Sequence, residues 1–209
     1  TALPLAIAMS VNVGFILGLV FVPGLWPVVE YLFPLAMAGF AATALLALAQ
    51  IGGFLGRAFE KGGFSFAANT SFAQVLPAFA LAMTGVGFSA PAALSGNVTI
   101  VALSLIASSL LLVLATLWAV VAVILGISAM LQHGVNAESA PTLLILVPLM
   151  TVLGILVLRQ DHGLHVHFGS HSSAGDTLML LTQILAVQVG FGLFGLAILR
   201  AQGYARRYL

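Results

Sequence analysis

The chain has 209 residues, of which 62% are hydrophobic and only 5% are charged, and its formal net charge is +1. An ordinary soluble domain carries about 25% charged residues, so this composition excludes a water-soluble globular protein and predicts an integral membrane protein. The low charge also excludes nucleic acid as a partner, and the lack of cysteine excludes disulfides, thiolate metal sites and thiol catalysis.

Six apolar segments, each long enough to cross a bilayer, follow one another along the chain. A spanning helix needs roughly 20 mostly apolar residues, because the hydrocarbon core is about 30 Å thick and each residue rises about 1.5 Å. Glycine, proline and charge delimit the segments as residues 3–22, 28–51, 72–90, 98–127, 141–158 and 177–199. Short links join these segments in pairs, so neighbouring helices should be antiparallel.

We therefore predict an all-α integral membrane fold, with about six transmembrane helices arranged as three helical hairpins. The hairpins cover residues 3–51, 72–127 and 141–199, within one transmembrane domain that covers residues 1–209. Because the chain begins with Thr1 and not with Met, we expect it to be part of a longer protein.

The basic residues distinguish the two faces of the predicted bundle. One face holds a single basic residue, Arg159. The other face holds Arg57, Lys61, Arg200, Arg206 and Arg207. By the positive-inside rule this second face is cytoplasmic, which predicts a bacterial inner membrane protein with both chain ends in the cytoplasm and residues 159–176 outside. Residues 53–66 carry several phenylalanines between their few charges, and form either an interfacial helix or an apolar loop packed on its neighbours.

An internal repeat relates the first and third spans. Residues 3–15 and 76–88 both begin with Leu-Pro, continue to Met-Ser or Met-Thr, and end with Gly-Phe. The fifth span has a weaker echo at Met150-Thr151. Either these similarities are chance recurrences of common membrane residues, or the odd spans are equivalent copies in a pseudo-symmetric ring. The second reading predicts odd helices in an inner ring and even helices outside.

A ring of hairpins with this arrangement, carrying the motif at Met9-Ser10 and Met83-Thr84, resembles the tellurite-resistance/dicarboxylate transporter family and its slow-anion-channel relatives. Those proteins have five hairpins, so the resemblance implies that this chain is the last three. It also implies a passage for an anion. One feature departs from the family, which closes its pore with a phenylalanine on the ninth helix: the corresponding residues 141–158 contain no phenylalanine.

Small and polar residues on the odd spans are the candidates for lining a passage, because hydrocarbon cannot satisfy polar side chains. The predicted pore-lining residues are Ser10, Asn12, Phe15, Thr84, Phe88 and Thr151. Phe15 and Phe88 follow the recurrent glycines, where a ring could plug the route. Each polar residue could instead hydrogen-bond a neighbouring helix. No charged residue falls deep within the predicted spans, which favours a passive conduit over a proton-coupled carrier.

Four histidines cluster in the predicted external link, at His162, His165, His167 and His171. In an extended segment His165 and His167 would share a face. The cluster could bind a divalent metal ion, sense pH, or form a solvated loop. No other cofactor is expected, because a haem buried between helices needs histidines within the spans.

Two functional hypotheses follow, and neither makes the chain an enzyme. The first is a channel or secondary transporter for a small solute, with an anion as the solute if the family resemblance holds. The second is a membrane-anchor or accessory subunit of a larger redox or metal-handling complex, which docks through the histidine-rich link. The expected partners are the lipid bilayer, a small solute and further copies of the chain.

Overall fold

The computed structural model describes residues 2–60 and 65–208, and throughout these ranges the regular structure is helical. The helices are α1 (Ala2–Phe21), α2 (Val29–Glu60), α3 (Leu76–Leu94), α4 (Val98–His133), α5 (Leu146–Phe168), α6 (Ala174–Ala201) and the short α7 (Tyr204–Tyr208). The first six are each long and apolar enough to span a membrane. The all-α fold and the six candidate spans are therefore as predicted, and they indicate a membrane protein.

Three helices extend six residues or more beyond their predicted C-terminal bounds. The second runs to Glu60, the fourth to His133 and the fifth to Phe168. Polar and charged residues are adequate helix formers, so a helix that leaves the hydrocarbon need not stop there. Residues 53–60 thus continue α2 without a break, while Lys61 lies outside the described residues. The fifth helix ends where Gly169 adopts a left-handed conformation, with φ of +66°.

Hydrogen bonds between the links show that the first five helices run alternately up and down. At one end of the bundle, the Ser95 hydroxyl of the α3–α4 link donates to the carboxylate of Glu30, at the start of α2. At the other end, the Phe72 N–H before α3 donates to Thr142 Oγ1 before α5, at 3.1 Å. Successive links therefore alternate between the two ends, as antiparallel hairpins require.

The third helix is the centre of the bundle. It packs against α1, α2, α4 and α5. Its small residues allow this, because helices without bulky side chains can approach closely in lipid. A Cβ atom placed on Gly87 would lie 2.3 Å from the Phe40 ring of α2, and one on Gly85 would lie 2.5 Å from Leu156 of α5. These glycines bring the neighbouring helices into contact with α3.

The helices form two rows. The odd helices contact one another in the order α1, α3, α5, while α2 packs against α1 and α3, and α4 packs against α3 and α5. The last helix, α6, packs against α5. Despite their similar sequences, α1 and α3 differ in environment: 72% of the α3 span is buried but only 11% of the α1 span. That the odd helices are equivalent copies in a closed ring stays a prediction.

Candidate functional site

A partly buried arginine side chain lies against the middle helices of the bundle. Arg159 is on α5, and its guanidinium Nη1 donates a hydrogen bond to the carbonyl oxygen of Val86 at 2.9 Å. Because Val86 lies near the middle of α3, the charge lies well below the end of that helix. We predicted that the fifth span ends at residue 158, which assigned Arg159 to a link; that bound is wrong, because α5 continues to Phe168. The depth of Arg159 in the bilayer stays a prediction.

The guanidinium has no carboxylate partner in the described part of the chain, where its hydrogen-bond partner is the Val86 carbonyl. The nearest acidic residue in sequence is Asp161, whose carboxylate accepts a hydrogen bond of 2.5 Å from the Ser172 hydroxyl. Residues two apart on a helix point in nearly opposite directions, so Asp161 turns away from Arg159. A guanidinium has five N–H donors, which leaves several that no described residue accepts.

Arg159 belongs to a partly exposed face that runs along two odd helices. Helical spacing places Ile155, which is 39% exposed, beside Arg159 on α5. On α3, the same spacing places Phe79 and Met83 in one row with Val86, and both are partly exposed. We name the surface formed by Phe79, Met83, Ile155 and Arg159 the Arg159 face.

Two of the predicted pore-lining residues point away from this face. Thr84 is fully buried, and its hydroxyl donates to the Ala80 carbonyl of the preceding turn at 2.8 Å. Phe88 is 6% exposed, and its ring centroid lies 6.0 Å from that of Phe40 on α2. Both residues therefore belong to the side of α3 that packs against the even helices. In this arrangement Phe88 is a core residue.

The other predicted pore-lining residues lie on α1 and α5. The Asn12 amide donates to the Met83 carbonyl of α3 at 3.1 Å, which makes it a contact between helices. Thr151 accepts a hydrogen bond of 2.7 Å from the amide of Gln188 on α6. Ser10 is exposed on α1, whereas Phe15 is partly buried and packs against the core. The structure thus brings Asn12 close to the Arg159 face and turns Thr84 and Phe88 away from it.

The histidines lie on the end of α5 and on the turn that follows it. The segment is not extended: α5 stays helical through Phe168 and so places His165 and His167 on nearly opposite sides of the helix. His165 instead meets His171, with ring centroids 5.9 Å apart, and its Nδ1 lies 2.7 Å from the Ser170 carbonyl oxygen. Among the described residues, no three His, Asp or Glu side chains form a group that could hold a metal ion.

One buried polar cluster escaped the sequence analysis. The Gln160 amide of α5 donates to the hydroxyls of Ser108 at 2.8 Å and Ser109 at 3.2 Å, both on α4. The sequence analysis assigned Gln160 to an external link and the two serines to the fourth span. Nothing in that assignment suggested that the three side chains meet. The adjacent serines in an otherwise apolar helix were the signal, since in lipid such hydroxyls require a partner.

Comparison of the chain with protein-family models, with curated proteins and with solved structures found no match. The functional assignment therefore depends on the position of Arg159 and on the faces of the odd helices.

Proposed function

We propose that this protein is a membrane channel or secondary transporter for a small anion, which passes along the Arg159 face of the odd-numbered helices. The observation that carries the proposal is the Arg159 guanidinium of α5, which lies level with the middle of α3. It donates a hydrogen bond to the Val86 carbonyl and has no carboxylate partner among the described residues.

Charge and geometry both favour an anion as the solute. A cation within a membrane bundle is costly, and such residues usually lie on substrate or ion pathways. Arginine keeps its charge and presents a planar fork of donors, which suits carboxylate and other oxyanions. An anion that enters the bundle would meet the donors that Val86 leaves unused. Since the guanidinium does not release its proton, it supports attraction of an anion and not a proton relay.

The packing of the helices supports the same proposal. A contiguous row of α1, α3 and α5, with even helices on one side, is the arrangement expected of an arc within a ring of hairpins. In this proposal the chain is similar to the tellurite-resistance/dicarboxylate transporter family. Phe79 lies on the Arg159 face, so it is a better candidate than Phe88 for the apolar constriction that the fifth helix lacks.

The experiment is anion flux through the intact protein in proteoliposomes, with chloride, nitrate and malate as test solutes. We expect Arg159→Gln to lower flux at least about tenfold, the size of effect that roughly 1.4 kcal/mol would produce. Arg159→Lys should retain part of the flux, because the positive charge stays. Arg200→Gln is the matched control, since that arginine lies at the exposed end of α6, and its flux should stay near that of the unmodified protein.

Thermal stability, measured on the same preparations, separates a transport role from a packing role. If Arg159→Gln lowers stability and leaves the flux of folded protein unchanged, Arg159 merely ties α5 to α3 and the proposal is wrong. Uptake of glucose at the same rate as malate would also contradict selection of anions.

The orientation in this proposal places both chain ends in the cytoplasm of a bacterial cell. Arg57 and Arg200 lie at the C-terminal ends of α2 and α6, and Arg206 lies on α7, directly after α6. Their position at one end of the bundle supports this orientation under the positive-inside rule. A membrane-impermeant thiol reagent, added to intact cells, should label Ser170→Cys and spare Ser65→Cys. The reverse labelling pattern would reject the orientation.

A docking role at the α5–α6 turn is the second candidate. The observation in its favour is the exposed pair His165 and His171, held at the surface by the contact with Ser170. A partner that docks there should be lost in the double variant His165→Ala, His171→Ala, while anion flux stays unchanged. Loss of flux in this variant would instead connect the turn with transport.

A further inference from the structure

Two histidine rings meet at the turn between α5 and α6. His165 lies on the last turn of α5, and His171 follows the left-handed Gly169 at which that helix ends. The two ring centroids are 5.9 Å apart, with the ring planes at 70° to each other. Both side chains are exposed, so the rings can turn toward a shared ligand without disturbing the bundle. The chain reversal at Gly169 thus places two imidazoles side by side.

A hydrogen bond to the backbone decides which nitrogen of His165 can bind a ligand. The Nδ1 atom lies 2.7 Å from the Ser170 carbonyl oxygen. A carbonyl oxygen only accepts hydrogen bonds, so Nδ1 is the nitrogen that carries the proton, and in the neutral ring the lone pair lies on Nε2. Histidines that bind metal ions almost always have this arrangement, in which one ring N–H donates to a carbonyl or carboxylate and the other nitrogen binds the ion.

The separation of the two rings suits a single metal ion between them. A bond from zinc to a histidine nitrogen is about 2.0 to 2.1 Å long, and zinc prefers tetrahedral angles. Two imidazoles on one tetrahedral ion therefore have ring centroids roughly 5 Å apart, and a wider angle at the ion increases this distance. The observed separation of 5.9 Å is slightly longer than the tetrahedral value. Small rotations of the two exposed side chains remove the difference.

An aspartate places negative charge beside the pair and ties the turn to α5. Asp161 lies four residues before His165, so the two side chains share one face of the helix. The Asp161 carboxylate accepts a hydrogen bond of 2.5 Å from the hydroxyl of Ser172, the residue that follows His171. This bond holds His171 close to α5, which reduces the conformational freedom lost when both rings bind one ion. The negative charge favours a cation as that ligand.

We propose that His165 and His171 form a two-histidine site for a divalent transition-metal ion, with water in the remaining coordination positions. Imidazole nitrogens suit Zn²⁺, Ni²⁺ and Cu²⁺, whereas Mg²⁺ prefers oxygen ligands. The site is open, because no three His, Asp or Glu side chains of the described residues form a ligand group. It differs from the pair expected from sequence, since His171 takes the place of His167. None of its residues belongs to the Arg159 face, so it does not depend on the proposed anion route.

Calorimetric titration with ZnCl₂ tests the site, on intact protein in lipid nanodiscs prepared without a polyhistidine tag. We expect one Zn²⁺ per chain near neutral pH, no measurable binding of Mg²⁺, and weaker Zn²⁺ binding in acid, because a protonated imidazole cannot bind the ion. Removing even a group that only orients a metal ligand costs about 10- to 100-fold in affinity, so His165→Ala and His171→Ala should each weaken binding at least about tenfold. His167→Ala is the matched control, since that histidine lies nearly opposite His165 on the same helix end, and its affinity should stay within about twofold.

Electron paramagnetic resonance of bound Cu²⁺ counts the nitrogen ligands directly. We expect coupling to two nitrogens in the unmodified protein and in His167→Ala, and loss of the two-nitrogen pattern in His165→Ala and His171→Ala. Thermal unfolding without metal checks that each variant is folded, as expected for changes of exposed side chains. Equal losses of Zn²⁺ affinity in all three variants would mean that the histidines act independently, and would overturn the proposal. Binding no stronger than that of empty nanodiscs, or a Cu²⁺ spectrum of the unmodified protein without coupling to two nitrogens, would overturn it whether or not the variants fold.

Discussion

The third and fourth helices contact each other extensively yet have opposite characters. α4 is the most apolar of the six candidate spans and α3 is the least apolar. In a soluble protein the more apolar helix would be the buried one. Here 72% of the α3 span is buried against 28% of the α4 span. The least apolar helix, α3, is therefore the most buried one.

The burial of α3 and the exposure of α4 are the pattern expected of a bundle surrounded by lipid. When lipid surrounds the bundle, a leucine gains little from burial, because hydrocarbon chains are as apolar as leucine. Close packing then favours small residues, and polar groups avoid lipid by turning inward. The glycines and hydroxyls of α3 meet both conditions, while α4 presents Leu103, Ile106 and Leu110 on its exposed side. Substitutions that distinguish a packed helix face from a lipid-exposed one therefore test this comparison.

The largest expected effect comes from removing a ring at the buried centre of α3. Phe88→Ala should lower stability by about 3 to 5 kcal/mol, the usual cost of truncating a packed phenylalanine. Phe21→Ala is the control, because Phe21 is 73% exposed at the end of α1 and should change stability by less than about 0.5 kcal/mol. Thermal unfolding in one detergent measures both.

Anion flux through Phe88→Ala and Phe21→Ala tests whether Phe88 is a core residue or plugs a passage. We predicted from sequence that Phe88 could plug a passage, in which case its removal would raise flux. Since the structure places the ring against Phe40, we now expect lowered stability with no rise in flux. A clear rise in flux with unchanged stability would show that the α2–α3 interface lies open to the route, and would remove α3 from the core.

A smaller effect is expected where α5 crosses α3. A Cβ atom on Gly163 would lie 2.3 Å from the carbonyl oxygen of Ala92, a backbone atom that cannot rotate away. Gly163→Ala should therefore force the helices apart and lower stability by about 1 to 3 kcal/mol. Gly190→Ala on α6 meets nothing within 4 Å and should be neutral or slightly stabilising, as alanine is in helices. Equal unfolding temperatures for the two variants would contradict the close crossing.

The number and class of the helices could be predicted from sequence, because length and apolarity decide them. The C-terminal bounds of α2, α4 and α5 could not, since a helix continues beyond the hydrocarbon wherever its polar residues tolerate helical geometry. Because the predicted end of α5 was too early, the sequence analysis missed the candidate site. Arg159 and Gln160 follow the apolar stretch directly, so they were assigned to a link, although α5 carries both of them into contact with other helices.

The faces of α3 were equally hard to predict. A helix in water shows its buried side as an apolar stripe, but α3 has small or apolar residues all round, so periodicity gives no direction. Thr84 and Phe88 were therefore chosen by their motif and proved to face the core. The role of Asn12 was easier, because a single amide in lipid has few alternatives to a neighbouring backbone. Its contact with the Met83 carbonyl was one of the two outcomes expected.

The smallest effect is expected from that asparagine. Asn12 joins α1 to the backbone of α3, and hydrogen bonds between membrane helices contribute about 0.6 kcal/mol on average and up to about 1.7. Asn12→Leu should lower stability by an amount in this range. Gln183→Leu is the matched control, because Gln183 is an amide at an exposed position of α6, where leucine suits lipid at least as well.

Since α1 is mostly exposed, the hydrogen bond from Asn12 should matter more to the docking of α1 against α3 than apolar burial does. Measured side by side in nanodiscs, Asn12→Leu should unfold at a lower temperature than Gln183→Leu. The reverse order would mean that packing alone holds α1 against α3, and that burial of α3 does not depend on polar contacts with its neighbours.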